Sequence, residues 1–141
     1  MVIDDDRDDF DIVADAVNTI DPRIAVYYLD RCEDSGRLKD QPFDLVLLDI
    51  NMPQHDGFAW LKGIRHSSYK DLPIVMYTNS ANPAHIEQAY EEGANLYFTK
   101  PESYTGLIKG LKKLLSMDWT QPFSITQLYR QQGQYATFQA E

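Results

Sequence analysis

Leu45-Val46-Leu47-Leu48-Asp49-Ile50-Asn51-Met52-Pro53 is the stretch that decides the fold. Four aliphatic residues run directly into one carboxylate, and Pro53 and Asp56-Gly57 close a turn behind it. A short, continuous apolar run bounded by turn residues suits a strand buried on both faces, as in a parallel sheet covered by helices. Asp49 then stands at the carboxyl end of that strand, the end beyond which open α/β sheets bind their ligands. Taken alone, the aspartate could equally cap the strand or the next helix. The other strand ends decide between these readings.

Toward the N-terminus, Met1-Val2-Ile3 reads as the end of a short strand, with Asp4-Asp5-Asp6 directly after it. Asp8 and Asp9 suit a helix start, where the dipole favours negative charge, and Asp6 reads as tuning that start. Phe10, Val13, Ala14, Val17 and Ile20 then recur at helical spacing, and Asp21-Pro22 ends the helix. Ile24 to Leu29 is rich in β-branched and aromatic residues and predicts a second strand. Residues 31–40 predict a short polar helix.

Toward the C-terminus, a helix begins near Phe58 with Phe58, Leu61 and Ile64 facing inward and Trp60 as packing. Ile74 to Tyr77 predicts a strand ending in Thr78. Asn82-Pro83 starts a helix with an asparagine cap and a proline in the first turn. Ile86, Ala89 and Tyr90 are its buried stripe, and Gly93 is its left-handed stop. Leu96-Tyr97-Phe98 predicts the last strand and runs into Thr99-Lys100-Pro101. Ser103 caps a final helix with Leu107, Leu111 and Leu114 inward. The pattern is strand–helix five times over, a doubly wound α/β parallel sheet with helices on both faces.

Composition sets the outer limits. The chain of 141 residues suits one domain with one sizeable core. A formal net charge of −9 argues against broad binding to nucleic acid or an anionic membrane. The single Cys32 cannot form an intrachain disulfide, which fits a cytoplasmic setting. No apolar run approaches membrane-spanning length. His55, His66 and His85 have no metal-ligand partners close in sequence and read as solvated residues.

Four strand ends carry polar groups: Asp4-Asp5, Asp49, Thr78 and Lys100. A right-handed doubly wound sheet brings these ends to one edge. Carboxylates packed that closely repel, and a hard divalent cation such as magnesium, which favours oxygen ligands, relieves the repulsion. A carboxylate can act as a nucleophile and become an acyl phosphate. Metal, lysine and hydroxyl are the parts that position and neutralise a phosphoryl group. The residues therefore point to a magnesium-dependent phosphoryl acceptor at an aspartate.

At this point the chain resembles the receiver domain of two-component response regulators, in the single-domain form typical of chemotaxis regulators. The likeness spans residues 1–116. It rests on Asp4-Asp5, on Asp49 within LLDINMPQHDG, on Thr78 within VMYTNS and on Lys100-Pro101 within GANLYFTKP. The resemblance implies a flavodoxin-like fold of five parallel strands in the order 2-1-3-4-5. It implies that Asp49 accepts phosphate from a histidine kinase or a phosphotransfer protein. Asp5 and Asp49 would bind Mg2+ directly, Asp4 through a metal-bound water, and Asn51 through its backbone carbonyl. Thr78 and Lys100 would each take a phosphoryl oxygen. Tyr97 would be the switching aromatic, turning inward when Thr78 moves, and Pro101 would follow a cis peptide bond. His55 departs from the family pattern, which is usually apolar there.

The implied function is a phosphorelay switch rather than an enzyme, signalling cytoplasmically to a downstream protein without binding nucleic acid itself. Two alternatives stand beside it. One is a magnesium-dependent phosphohydrolase, but such α/β enzymes usually place an acidic residue two positions after the nucleophile, where this chain has Asn51. The other is a degenerate receiver used only for binding, which the intact Asp5, Asp49, Thr78 and Lys100 oppose.

Residues 117–141 lie outside the repeating pattern. Trp119, Phe123, Tyr129, Tyr135 and Phe138 give this tail an aromatic density foreign to disordered segments. Ser124 can cap a short helix running through Gln132, with Gly133 as its stop. Ile125, Leu128 and Tyr129 would share one face, too small to fold alone. That face is expected to dock on the Leu107–Leu114 helix or on a second copy in a homodimer. In receivers the surface nearby is the usual output face, so a docked tail could gate it.

Overall fold

The computed structural model describes residues 1–30, 43–50, 56–131 and 134–138. The helix expected over 31–40, Cys32, Asn51, His55 and Gly133 lie outside the described residues. The elements in order are β1 (Val2–Ile3), α1 (Arg7–Ile20), β2 (Tyr28–Leu29), β3 (Val46–Leu48), α2 (Gly57–Arg65), β4 (Ile74–Thr78), α3 (Pro83–Glu91), β5 (Leu96–Thr99) and α4 (Tyr104–Leu115), followed by α5 (Pro122–Tyr129), β6 (Arg130–Gln131) and β7 (Gln134–Tyr135). The first five strands form one parallel sheet in the order β2-β1-β3-β4-β5. Among the described residues no helix is long and apolar enough to cross a membrane.

The apolar run of β3 is continuous because both of its faces are covered. Successive strand residues point to opposite sides. Ile3, Leu48, Met76 and Tyr97 face one layer with Trp60, Leu61, Ile64, Ala89 and Tyr90 of α2 and α3. Val2, Leu47, Val75, Leu96 and Phe98 face the other, with Val13 and Val17 of α1 and Leu107, Leu111 and Leu114 of α4. Helix starts follow side-chain chemistry. Asp6, Asp56, Asn82 and Ser103 each accept a backbone N–H of the first turn that would otherwise lack a partner. Gly93 takes φ 105° behind α3, a conformation that disfavours a side chain.

Four expectations need correction. β2 covers only Tyr28–Leu29, not Ile24–Leu29, because β1 offers just Val2 and Ile3 as ladder partners; Ile24 is exposed. The described residues hold no cis peptide, so the bond before Pro101 is trans, the more stable isomer of an X–Pro bond. The tail helix runs Pro122–Tyr129, not from Ser124 through Gln132, because Arg130–Gln131 is a strand. Proline suits the first turn because its missing N–H would have had no helical partner. Leu128 on that helix is 71% exposed, so it does not share the buried face with Ile125.

The tail docks, and it does so across the outer edge of β5 more than along α4. Trp119 Nε1 donates to the Leu114 carbonyl, and Ile125 enters the layer beneath α4. Thr126 Oγ1 donates to the Asn95 carbonyl. The Phe138 N–H donates to the Tyr97 carbonyl at 2.7 Å, and Tyr97 N–H donates to Tyr90 Oη at 3.1 Å. Tyr90 Oη in turn donates to the Ala136 carbonyl. Tyr135 stacks on Tyr90 with ring centroids 4.8 Å apart, and Phe138 packs edge-on to Phe98 at 5.0 Å. Tyr129 touches both layers of the core. An edge strand left open would expose unpaired N–H and C=O groups; the tail takes the Asn95 and Tyr97 carbonyls, and Tyr90 of α3 takes the Tyr97 N–H. Arg65 braces the same corner, donating to the carbonyls of Gly93, Lys70 and Leu72 and to Asn95 Oδ1.

Phe138 is 2% exposed. Phe138→Ala is expected to cost about 3 kcal/mol in denaturant unfolding and to speed hydrogen exchange at residues 125–129. A destabilisation under about 0.5 kcal/mol, the range of ordinary surface substitutions, would mean that the tail is not docked in solution.

Candidate functional site

The parallel ladder fixes where each functional side chain emerges. Asp4 N–H donates to the Leu29 carbonyl, Asp49 N–H to the Ile3 carbonyl and Lys100 N–H to the Thr78 carbonyl, at 3.2, 3.0 and 2.7 Å. Four neighbouring strands thus deliver Asp4, Asp49, Thr78 and Lys100 to one end of the sheet. Gly57 completes the wall. Its N–H donates to the Ile50 carbonyl, and a Cβ there would overlap the Asp49 carbonyl oxygen. Only glycine lets α2 start this close to the end of β3.

Asp4, Asp5 and Asp49 each offer a carboxylate oxygen, all within 4.8 Å of one another. Asp4 and Asp49 are buried, at 1% and 6% exposure, while Asp5 is exposed. The set is all hard oxygen, open on one side, and suited to a small divalent cation that keeps part of its water shell. Lys100 Nζ lies 3.0 Å from Asp4 Oδ2, 2.7 Å from Asp9 Oδ2 and 3.5 Å from Asp49 Oδ2. It also sits 5.3 Å over the Tyr77 ring. Thr78 is fully buried, and its Oγ1 accepts the Ser80 N–H at 3.3 Å.

Burial and charge pull these groups in opposite directions. Burial pushes the Asp4 carboxyl up to about 6, only partly countered by the Asp6 N–H and the Lys100 charge. Burial also works against the Lys100 ammonium, but its hydrogen bond to Asp9 and the fields of Asp49 and Asp4 outweigh that and raise its pKa above the ordinary lysine value. Lys100 is therefore charged across the physiological range. Burial pushes the Tyr77 phenol up to about 12, so it stays neutral.

The expected residues Asp4, Asp5, Asp49 and Lys100 come together, with Thr78 beside them on β4; the Asn51 carbonyl falls outside the described residues. Tyr97 has its ring fully buried, and its hydroxyl donates to the Ser80 carbonyl at 2.7 Å. His85 is not the surface residue the sequence suggests. It is half-buried, its Nδ1 lies 2.6 Å from Ser80 Oγ, and its ring stands against Phe58. His66 is exposed as expected. Asp9 is the site residue that sequence reading missed, because a carboxylate in a first helical turn has a sufficient explanation in the dipole. No local sequence signal separates it from Asp8; only the approach of Lys100, brought by β5, does.

Several known proteins resemble this chain. A probable cyclic di-GMP phosphodiesterase of Vibrio cholerae is 30% identical over 109 residues, covering 73% of this chain and 23% of the relative. The transcriptional regulatory protein YxdJ of Bacillus subtilis is 33% identical over 104 residues, covering 74% of this chain and 38% of the relative. The chain thus spans well under half the length of either. The crystal structure of the chemotaxis response regulator CheY4 of Vibrio cholerae superposes with a TM-score of 0.68 at 26% identity, covering 80% of this chain and 94% of that one. The family model for the response regulator receiver domain matches residues 1–112, which take in the whole parallel sheet and every carboxylate around Lys100, and the chain belongs to that family.

Proposed function

We propose that Asp49 is the phosphoacceptor of a phosphorelay switch, with residues 1–116 as the receiver and 117–141 as an extension that covers its β5 edge. The observation that carries this reading is the buried Asp49 carboxylate, held between two further carboxylates and the Lys100 ammonium. An Asp49 oxygen attacks the phosphorus of a phosphohistidine on a histidine kinase or phosphotransfer protein. The P–O bond forms, the P–N bond breaks, and the imidazole leaves with the electron pair. Asp5 and Asp49, supported by Asp4 and the Asn51 carbonyl, would hold Mg2+. When bound, the metal supplies charge neutralisation for the phosphoryl oxygens. Lys100 neutralises a further oxygen, and Thr78 Oγ1 turns from Ser80 N–H to donate to another.

The signal then travels along bonds already present. The Ser80 carbonyl holds the Tyr97 hydroxyl, and the Tyr97 backbone holds Phe138 and Tyr90, which hold the tail. A shift at Thr78 to Ser80 is thereby felt at the β5 edge, where a downstream protein would compete with the tail. The family supports a signalling phosphoacceptor over a phosphohydrolase, and Asn51 occupies the position where the hydrolase would need its acid.

Incubation with acetyl phosphate and magnesium should add one phosphoryl group, detected by intact mass, and Asp49→Ala should add none; equal labelling of that variant contradicts the assignment. Magnesium should raise the melting temperature by linkage, and Asp5→Asn should lose most of that rise. An unchanged rise removes Asp5 from the ligand set. In chelator the Asp4 pKa lies above its unfolded value, so the folded state binds the extra proton. Its contribution to stability is present below about pH 4 and falls as pH rises through 6. Stability of Asp4→Asn in chelator should lack that decline, and an identical pH profile for the two proteins would contradict it.

A further inference from the structure

The three carboxylates around Lys100 are not equivalent. Asp9 lies nearest at 2.7 Å, Asp4 next at 3.0 Å and Asp49 farthest at 3.5 Å. Asp4 is 1% exposed, whereas the Asp9 side chain is 31% exposed. Separating Lys100 from Asp4 would strand a buried charge, which is costly. Separating it from Asp9 would not, because water can take its place. The first turn of α1, where Asp9 sits, also favours a free carboxylate there.

We infer that Asp9 is a positioning residue that holds the Lys100 ammonium away from Asp49 in the unmodified protein and yields it to the phosphoryl group when Asp49 is modified. This rests on the reading of Asp49 as phosphoacceptor. A phosphoryl group carries more negative charge than the carboxylate it replaces and offers three acceptor oxygens. Lys100 has three N–H donors, and the described residues present three carboxylates to them. A phosphoryl group on Asp49 inherits the donor that Asp49 holds at 3.5 Å, and its greater charge draws the ammonium toward it and away from the other two carboxylates. Asp4 cannot be left dry, so the contact that lengthens is the one to Asp9, which water can replace. Asp9 thus competes with the phosphoryl group for the single ammonium and sets how readily the modified state forms and how long it lasts.

The test uses beryllofluoride with magnesium as a stable phosphoryl mimic on the full chain. Affinity is read by calorimetry and the Lys100 side chain by its ammonium NMR signal. Asp9→Asn should bind the mimic about fivefold more tightly, the factor matching loss of one competing, partly exposed ion pair. Its Lys100 signal in the free protein should move toward that of the mimic-bound wild type. Asp9→Glu should restore wild-type affinity. Asp8→Asn removes the same charge from the same helical turn without touching Lys100, and it should leave affinity unchanged. A wild-type affinity for Asp9→Asn, or an equal gain for Asp8→Asn, overturns the proposal while leaving the phosphoacceptor reading intact. A wild-type protein that takes no beryllofluoride, or takes it equally as Asp49→Ala, overturns both.

Discussion

The Lys100 ammonium is the cation on which this site depends. Asp4 and Asp49 are nearly dry, and Asp5 and Asp9 stand at the rim. Four carboxylates so placed would repel one another strongly, and burial already pushes Asp4 up to about 6. One lysine, its side chain almost wholly buried, donates to three of them. It offsets enough of the repulsion for the sheet to close but leaves the site net negative. That remaining charge on an all-oxygen donor set suits a divalent cation.

The sheet is built to hold this arrangement with little material. β1 contributes only two ladder residues, yet both of its neighbours are registered through them, and Asp4 leaves that strand at a fixed height. Gly57 lets α2 begin against the end of β3, which places the Asp56 cap directly beside the functional edge. On the far side, β5 would be an open edge without the tail. Phe138, Tyr135 and Thr126 close it, and the Tyr97 backbone serves as both donor and acceptor in that closure. Tyr97, whose hydroxyl reaches the turn after β4, is thus also the residue whose backbone meets the tail.

Much of this was legible in the sequence because it follows from local periodicity and capping. The unbroken Leu45–Leu48 run, the Asn82-Pro83 start and the Gly93 stop each have one dominant physical reading, and the structure agrees with them. The strand ends were legible because a parallel sheet has only one carboxyl edge. What was not legible depends on distant partners. Asp9 looks like any first-turn carboxylate until Lys100, 91 positions later, is seen to reach it. His85 looks solvated until the turn after β4 brings Ser80 against it. The tail's docking place depended on which β5 groups remained unpaired, and the short β2 on how few residues β1 could offer. Leu128 followed the helical pattern but faces solvent, because the tail helix packs through Ile125 and Thr126 instead.

If the buried Asp49, poised between a cation site and Lys100, receives the phosphoryl group, a crystal structure of the full chain grown with magnesium and beryllofluoride should show it. Beryllofluoride is then expected on an Asp49 carboxylate oxygen, with a cation among Asp4, Asp5 and Asp49 and Lys100 Nζ within hydrogen-bonding distance of a fluoride. Beryllofluoride on a different carboxylate, or a cation held elsewhere with Asp49 unmodified, would contradict it.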